Sequence, residues 1–313
     1  MRLMVAHRIM GSTLLTIGDF QSSREHFEKT IVLSRGKGQG PLYSRYMVEP
    51  QVASLLLASW DLWFLGYPDQ SLAHVSEALS LARDLAQPYS IAFAHYMISV
   101  VRILRGEAEC ALASAEQSRE MSQEQRFSLY EILSSISRGR ALGDLGRVRE
   151  AQTEIKSGLD AARRNGVGFM RPMMTSWLAD AHASLGENET ALSITEQVLA
   201  DISDATGRSW QSELHRQRAQ LIVVLDPTRA SEAESDLKTA IDVARRQNAK
   251  SLELRAATTL TELWLAQERL DEARELIGPI YAWFTEGAET QDLQRARNAQ
   301  VALGPHPVAD VPT

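Results

Sequence analysis

The sequence predicts an all-α solenoid: about seven helical hairpins with a period near 40 residues, stacked in a row and coiled into a right-handed superhelix. Three observations carry that prediction. A turn pattern recurs as Ile17-Gly18-Asp19-Phe20, Leu65-Gly66-Tyr67-Pro68, Leu145-Gly146-Arg147-Val148 and Leu185-Gly186-Glu187-Asn188, and Gly106 fits the same spacing. Five residues after each glycine stands a small residue (Ser23, Ser71, Ala111, Ala151, Ala191), with degenerate copies pairing Thr228 with Ala233 and Glu268 with Ala273. These anchors lie 48, 40, 40, 40, 42 and 40 residues apart, and a fixed period of this size marks stacked supersecondary units. No segment of strand period stands out.

Each unit reads as helix, tight turn, helix. A second small position lies seven residues before each turn glycine. In the first unit it is Gly11, followed by Gly18 and, four residues beyond the anchor, the bulky Phe27. The glycine-rich stretch Ser34 to Pro41 reads as a flexible linker and accounts for the longer first spacing. The second unit has Ser59, Gly66 and Val75. The third is apolar at Ala92, Phe93, Tyr96, Met97, Val100, Val101 and Leu104, offsets of three and four that belong to a helix. Gly106 then breaks the run, since glycine tolerates the positive φ of a helix C-terminus. The fourth unit has Gly139, Gly146 and Ile155, and Asn165 to Pro172 joins it to the fifth, with Ala179 and Gly186. In the sixth, Leu221 holds the small position unless a one- or two-residue insertion moves Ala219 there, and Asp226-Pro227 opens the turn. The seventh has Thr261 and Ile277. Residues 289–303 read as a capping helix, so the repeat domain is expected over 1–304 and a disordered tail over 305–313.

Bulk properties narrow the function classes. The 313 residues carry a formal net charge of -7 and an estimated pI of about 5.6. Nucleic acid and anionic membranes need a concentrated basic face, so neither is an expected partner. Cys110 is the only cysteine, which excludes an internal disulfide and a thiolate metal cluster and fits a cytoplasmic protein. There is no run of about 18 apolar residues, and the N-terminus does not read as a signal peptide.

The small residues, the Leu-Gly turns and the paired helices resemble the tetratricopeptide (TPR) repeat, with a period near 40 instead of 34 and most of the consensus tryptophan and proline missing. Longer stretches are similar to the C-terminal helical-repeat region of bacterial multidomain signalling proteins. In those a class III adenylate or guanylate cyclase, or another output domain, precedes a predicted ATPase and a TPR array. The stretches are Leu65 to Gln70, Thr206-Gly207-Arg208 with Trp210, Glu213 to Arg216, Ala249 to Ala257, and Tyr281 to Gly287 with Asp292-Leu293. The resemblance implies that this chain is the regulatory array. It brings no cyclase or ATPase activity, because the phosphate-cradling G-x-x-x-x-G-K-[ST] loop is missing.

Chemistry-bearing constellations are sparse. The histidines (His7, His26, His74, His95, His182, His215, His306) show neither H-x-x-x-H nor H-E-x-x-H spacing, so no metal is expected. No G-x-S-x-G motif occurs. Cys110 lies at the start of a second helix, where a helix dipole can lower a thiol pKa, but the preferred reading of it is a small apolar filler. Arg163-Arg164, Arg245-Arg246, Arg35, Arg83 and Arg119 are read as sitting near second-helix ends, where cations complement the dipole. No cofactor is expected, and the chain is not expected to be an enzyme.

In TPR arrays the first helix of each hairpin lines the concave face. One ladder reads Ser12, Trp60, Val100, Arg140, Asp180, Gln220 or Leu221, and Glu262. A second reads Arg8, Leu56, Tyr96, Ile136, Ser176, Arg216 and Thr258. Trp63 and Phe93 should lie beside them. The candidate binding residues are therefore Arg8, Trp60, Trp63, Phe93, Tyr96, Arg140, Asp180, Glu213 and Arg216, an aromatic end followed by a polar stretch. Aromatics and arginine suit a binding hot spot, although an aromatic stripe at this spacing also suits core, and Arg140 and Asp180, one repeat apart, can pair with each other. The expected function is a non-catalytic scaffold or sensor that binds a protein, a peptide or the ATPase or cyclase domain of a parent protein. The alternative is a small-molecule inducer site controlling such a domain. An enzyme with a site built across repeats is the third.

Overall fold

Small residues decide where helices can approach, and the chain folds accordingly. The computed structural model describes residues 2–34, 48–168, 170–202 and 207–304. Among the described residues there are fifteen α-helices and no strand. Seven hairpins follow one another: α1 (Arg2–Ile17) with α2 (Phe20–Ser34), α3 (Pro50–Phe64) with α4 (Pro68–Asp84), α5 (Pro88–Arg105) with α6 (Ala108–Gln125), α7 (Ser128–Asp144) with α8 (Val148–Arg164), α9 (Arg171–Ser184) with α10 (Asn188–Asp201), α11 (Gln211–Leu225) with α12 (Ala230–Arg246), and α13 (Lys250–Ala266) with α14 (Leu270–Ala282). α15 (Gln291–Ala302) packs on α13 and α14 as the cap. The linker beyond Ser34 and the expected tail at 305–313 lie outside the described residues.

The turns form for a local reason. At Gly66 the backbone is left-handed (φ +92°), its N–H bonds Trp63 O, and the next N–H, of Tyr67, bonds Leu62 O. That pair of bonds satisfies carbonyls a helix end would leave orphaned. The same two bonds recur at Gly18, Gly106, Gly146 and Gly186, and again at Glu268, which holds the left-handed position of the degenerate seventh copy at φ +61°. The sixth turn is built differently. A 3-10 turn, Pro227–Arg229, is capped by Asp226, whose carboxylate accepts from Thr228 N at 2.9 Å.

Each second helix buries a stripe at offsets 0, 4 and 7 from its anchor, and five of the seven extend it to offset 11: Ser71, Val75, Ala78 and Ala82 in α4, Ala151, Ile155, Gly158 and Ala162 in α8, Ala233, Leu237, Ala240 and Ala244 in α12. The opposing small residues are buried too, and Ala219 fills that position in the sixth unit, which locates the insertion. The approach is close: a methyl on Gly11 would meet Phe27, and one on Gly139 would meet Ile155, each at 2.8 Å. Hydroxyls at the anchors bond across the gap, Ser23 Oγ to Gly11 O and Ser71 Oγ to Ser59 O.

The superhelix also closes on itself. Ser251 Oγ donates to Trp63 O across 188 residues of sequence at 2.5 Å. Trp63 stacks on Trp210 with centroids 6.3 Å apart. Glu286, in the loop after α14, accepts from the backbone N–H groups of Asp69 (2.8 Å) and Gln70 (3.1 Å), and so caps α4 from the far end of the chain. Asp69 returns the contact by accepting from Gly287 N at 2.9 Å. This seam joins the turns of the first three hairpins to the last two hairpins and the cap.

Candidate functional site

Inner helices α7, α9, α11 and α13, with the cap α15, bring a charged cluster together on the concave face. Arg140 pairs with Asp180 one repeat on and also with Asp144 (3.1 Å). Arg216 holds Glu213 in bidentate geometry (2.6 and 3.0 Å) and donates to Gln220 (2.6 Å). Arg255 reaches Asp292 (2.8 Å), Glu213 (3.6 Å) and Leu104 O (3.2 Å), and its guanidinium lies 4.8 Å from the Trp63 ring centroid. Gln217 fixes the second Asp180 oxygen at 2.6 Å while accepting from Thr195 at 3.0 Å. The cluster sits where the hydrophobic core divides, with Leu214 on one side and Ala219 and Ile222 on the other.

Electrostatics follow from this crowding. Burial alone would raise the Glu213 carboxyl, but Arg216, Arg255 and Arg140 together hold it down at about 2. Asp144 is raised, because burial outweighs Arg140 there. Arg140 and Arg216 are raised above the ordinary arginine value by their carboxylate partners against the opposing effect of burial. The groups are enclosed yet reached by solvent: 24% of the Arg140 side chain remains accessible, 12% of Arg216 and 9% of Glu213. Such a set can present bidentate donors and fixed carboxylates to a ligand.

The candidate residues divide into two groups. Arg140, Asp180, Glu213 and Arg216 come together as described. Trp60, Trp63 and Tyr96 are instead packed in the hydrophobic core with Leu56 and Val100, because successive inner helices lie against one another and the seam covers the end of α3. Phe93 is half-buried and stacks on Tyr130 at 5.0 Å. Arg8 is half-buried; burial pushes the Tyr130 hydroxyl well up, and the Arg8 charge opposes that only weakly. Arg255, Asp292, Asp144 and Gln217 were not among the candidates. Arg255 stands six residues before the small position of its helix, the register that Phe93 and Glu213 occupy in theirs, so a third ladder would have found it.

The other groups take ordinary places. Cys110 is exposed. Arg163-Arg164, Arg245-Arg246 and Arg83 lie in last turns of second helices, whereas Arg119 sits further inside α6 and faces Glu154 at 3.8 Å. Among the described residues no group of three His, Cys, Asp or Glu could hold a metal ion, and no helix is long and apolar enough to cross a membrane.

No family model matches the chain, and no curated sequence matches it. Its fold is similar to that of several solved structures. NprR in complex with its cognate peptide NprX is 14% identical, with 93% of this chain and 80% of that chain covered at a TM-score of 0.61. The Rap conjugation gene regulator of plasmid pLS20, in complex with the Phr* peptide, is 14% identical over 96% and 95% at 0.55. Aspartyl phosphate phosphatase F from Bacillus subtilis is 10% identical over 99% and 74% at 0.55. Likeness at such identity concerns the fold alone, and the fold is a TPR-like α-solenoid.

Proposed function

We propose that this chain is a non-catalytic binding module that takes a short peptide, or a short segment of a protein partner, against its concave polar cluster. Arg140, Asp180, Glu213 and Arg216 make the contacts, Arg255 joins them, and Arg8 and Phe93 flank the other end of the face. Trp60, Trp63 and Tyr96 shape that face from behind. The observation that carries the reading is the cluster itself: three arginines and four carboxylates from five helices, enclosed but solvent-reached. Two similarly folded proteins, NprR and the pLS20 Rap regulator, are complexes with peptides, which supports the same use here. The resemblance read from the sequence makes the array the regulatory part of a signalling ATPase or cyclase. A small-molecule inducer is the second reading, favoured by the seam, which brings the two ends of the superhelix together, since small ligands occupy clefts more than open surfaces.

The test is selection of short peptides on the wild-type chain, followed by titration against Arg140→Gln/Asp180→Asn. Replacing both partners removes the pair together, and Asp144, which also loses Arg140, is already raised by burial and can take up a proton. Selected peptides should bind the double variant at least 10-fold more weakly, about 1.4 kcal/mol, with the melting temperature little changed. Peptides that bind both proteins equally would remove the concave cluster from the site. A thermal-shift screen with free amino acids and dicarboxylates in place of peptides distinguishes the second reading.

A further inference from the structure

We propose that the joint between α8 and α9 is a binding site for a small aromatic carboxylic acid, a second site that uses none of the concave residues. A cavity of about 500 Å³ lies there, lined by Gln152, Lys156, Ser157, Asp160 and Arg164 of α8 and by His182 of α9. That volume is in the range of small-ligand pockets, about 300–1,000 Å³. Among the described residues Lys156, Arg164 and Asp160 form no ion pair, either with one another or with a neighbour, so their charges are not satisfied within the fold.

The chain supplies its own comparison, because each joint of a stack repeats the same interface. Two positions recur at every joint: one residue after the second-helix anchor, and three residues after the small position of the next first helix. The latter is held by Leu62, Leu142, Ile222 and Trp264, at most 6% exposed, and by Arg102, which is bound to Glu107. At the fourth joint, between α8 and α9, the two positions are Gln152 and His182. Glu187 accepts from Gln152 at 3.0 Å and from His182 Nδ1 at 2.5 Å, so both are fixed at the cavity wall.

The last joint, between α12 and α13, shows what the fourth lacks. Lys238 stands five residues after Ala233, as Lys156 stands five after Ala151. Lys238 pairs with the Glu234 carboxylate at 2.8 Å, and its ammonium lies 5.9 Å from the Trp264 ring centroid. Glu234 and Trp264 are the counterparts of Gln152 and His182. The fourth joint keeps the cation but not the carboxylate and the indole that accompany it, and the cavity stands in their place. A ligand that completes the joint brings both. Its carboxylate meets Lys156 and Arg164, and its ring lies against the cation, which a ring face attracts within about 6 Å. Asp160 accepts from a ring N–H or O–H and disfavours a second acidic group.

The probe is N-acetyltryptophan, which carries one carboxylate, one indole and no ammonium, titrated into the full chain by calorimetry. Saturable binding is expected. N-acetyltryptophan amide, without the charge, and acetate, without the ring, should each bind roughly 10-fold more weakly or worse. Lys156→Gln, at an exposed position, should weaken the probe by a similar factor with the circular dichroism unchanged. Gln152→Glu/His182→Trp copies the last joint and should abolish binding while the melting temperature holds or rises. Absence of saturable binding at millimolar probe would overturn the proposal, as would an affinity unmoved by Lys156→Gln. Acetate or inorganic phosphate binding as tightly as the probe would also overturn it, since the cations would then be holding an anion without reading a ring.

Discussion

The Ser23 hydroxyl has one proton and two oxygens within reach, Gly11 O at 2.9 Å and Asp61 Oδ2 at 2.7 Å. Both contacts are hydrogen bonds at once only when Asp61 is protonated, donates to Ser23 and lets Ser23 donate to Gly11. Asp61 is fully buried, its other carboxyl oxygen has no partner, and burial pushes its carboxyl well above the ordinary range, against the smaller effects of Ser23 and Arg24 and with that of Asp19. The linkage has a definite sign. The folded chain keeps a proton that the unfolded chain releases near pH 4, so the contribution of Asp61 to stability is greatest below that pH. It falls by about 1.4 kcal/mol per pH unit as pH rises toward the folded value. Asp61→Asn preserves the shape and the donor without the titration. Its stability advantage in urea unfolding should therefore be near zero at pH 4 and grow as pH rises to 7. An advantage independent of pH would mean that Asp61 does not hold a proton in the folded chain.

At the scale of elements, two turns of the same type have different surroundings. Gly66 and Gly146 are both left-handed, at φ +92° and +80°. A methyl on Gly146 meets nothing within 4 Å, whereas one on Gly66 meets the Trp283 ring at 2.5 Å and Lys250 Cβ at 2.8 Å. Gly146→Ala should cost the conformational penalty alone, about 1 kcal/mol. Gly66→Ala should cost clearly more, because Trp283 must leave its place beside Tyr67 and under Lys250. Equal denaturant midpoints for the two variants would show that the seam yields freely at that point. The comparison also marks what the sequence made legible. Turn glycines and their anchors are set by contacts within 40 residues, so the hairpins and their number could be read directly. The seam could not: whether Trp63 meets Ser251 depends on small rotations summed over five hairpins, and no local pattern encodes that sum. For the same reason the inner-helix ladders could set Arg140, Asp180 and Arg216 near one another, whereas for Trp60 and Tyr96 they left groove and core both open, and the coiling packs these two in the core.

For the whole molecule, the seam changes the kind of unfolding to expect. A linear solenoid has only nearest-neighbour interfaces, so its ends can fray and its transitions broaden. Here hairpins one to three are tied to hairpins six and seven, and opening either end requires breaking contacts with the other. Two helix caps separate this coupling from ordinary stability. Glu49 caps α3 locally, its carboxylate accepting from Val52 N at 2.8 Å. Glu286 does the same service for α4, but from more than 200 residues away. Loss of an N-cap costs about 0.5–2 kcal/mol, so Glu49→Ala and Glu286→Ala should lower the denaturant midpoint by similar amounts. Only Glu286→Ala should also lower the slope of the transition, as the two ends begin to open separately, and only it should speed hydrogen exchange in α4 and in α13 together. If the two variants keep the same slope and Glu286→Ala affects α4 alone, the ends of the superhelix touch without being coupled, and the concave cluster must then be treated as an open trough that the ligand can enter from the side.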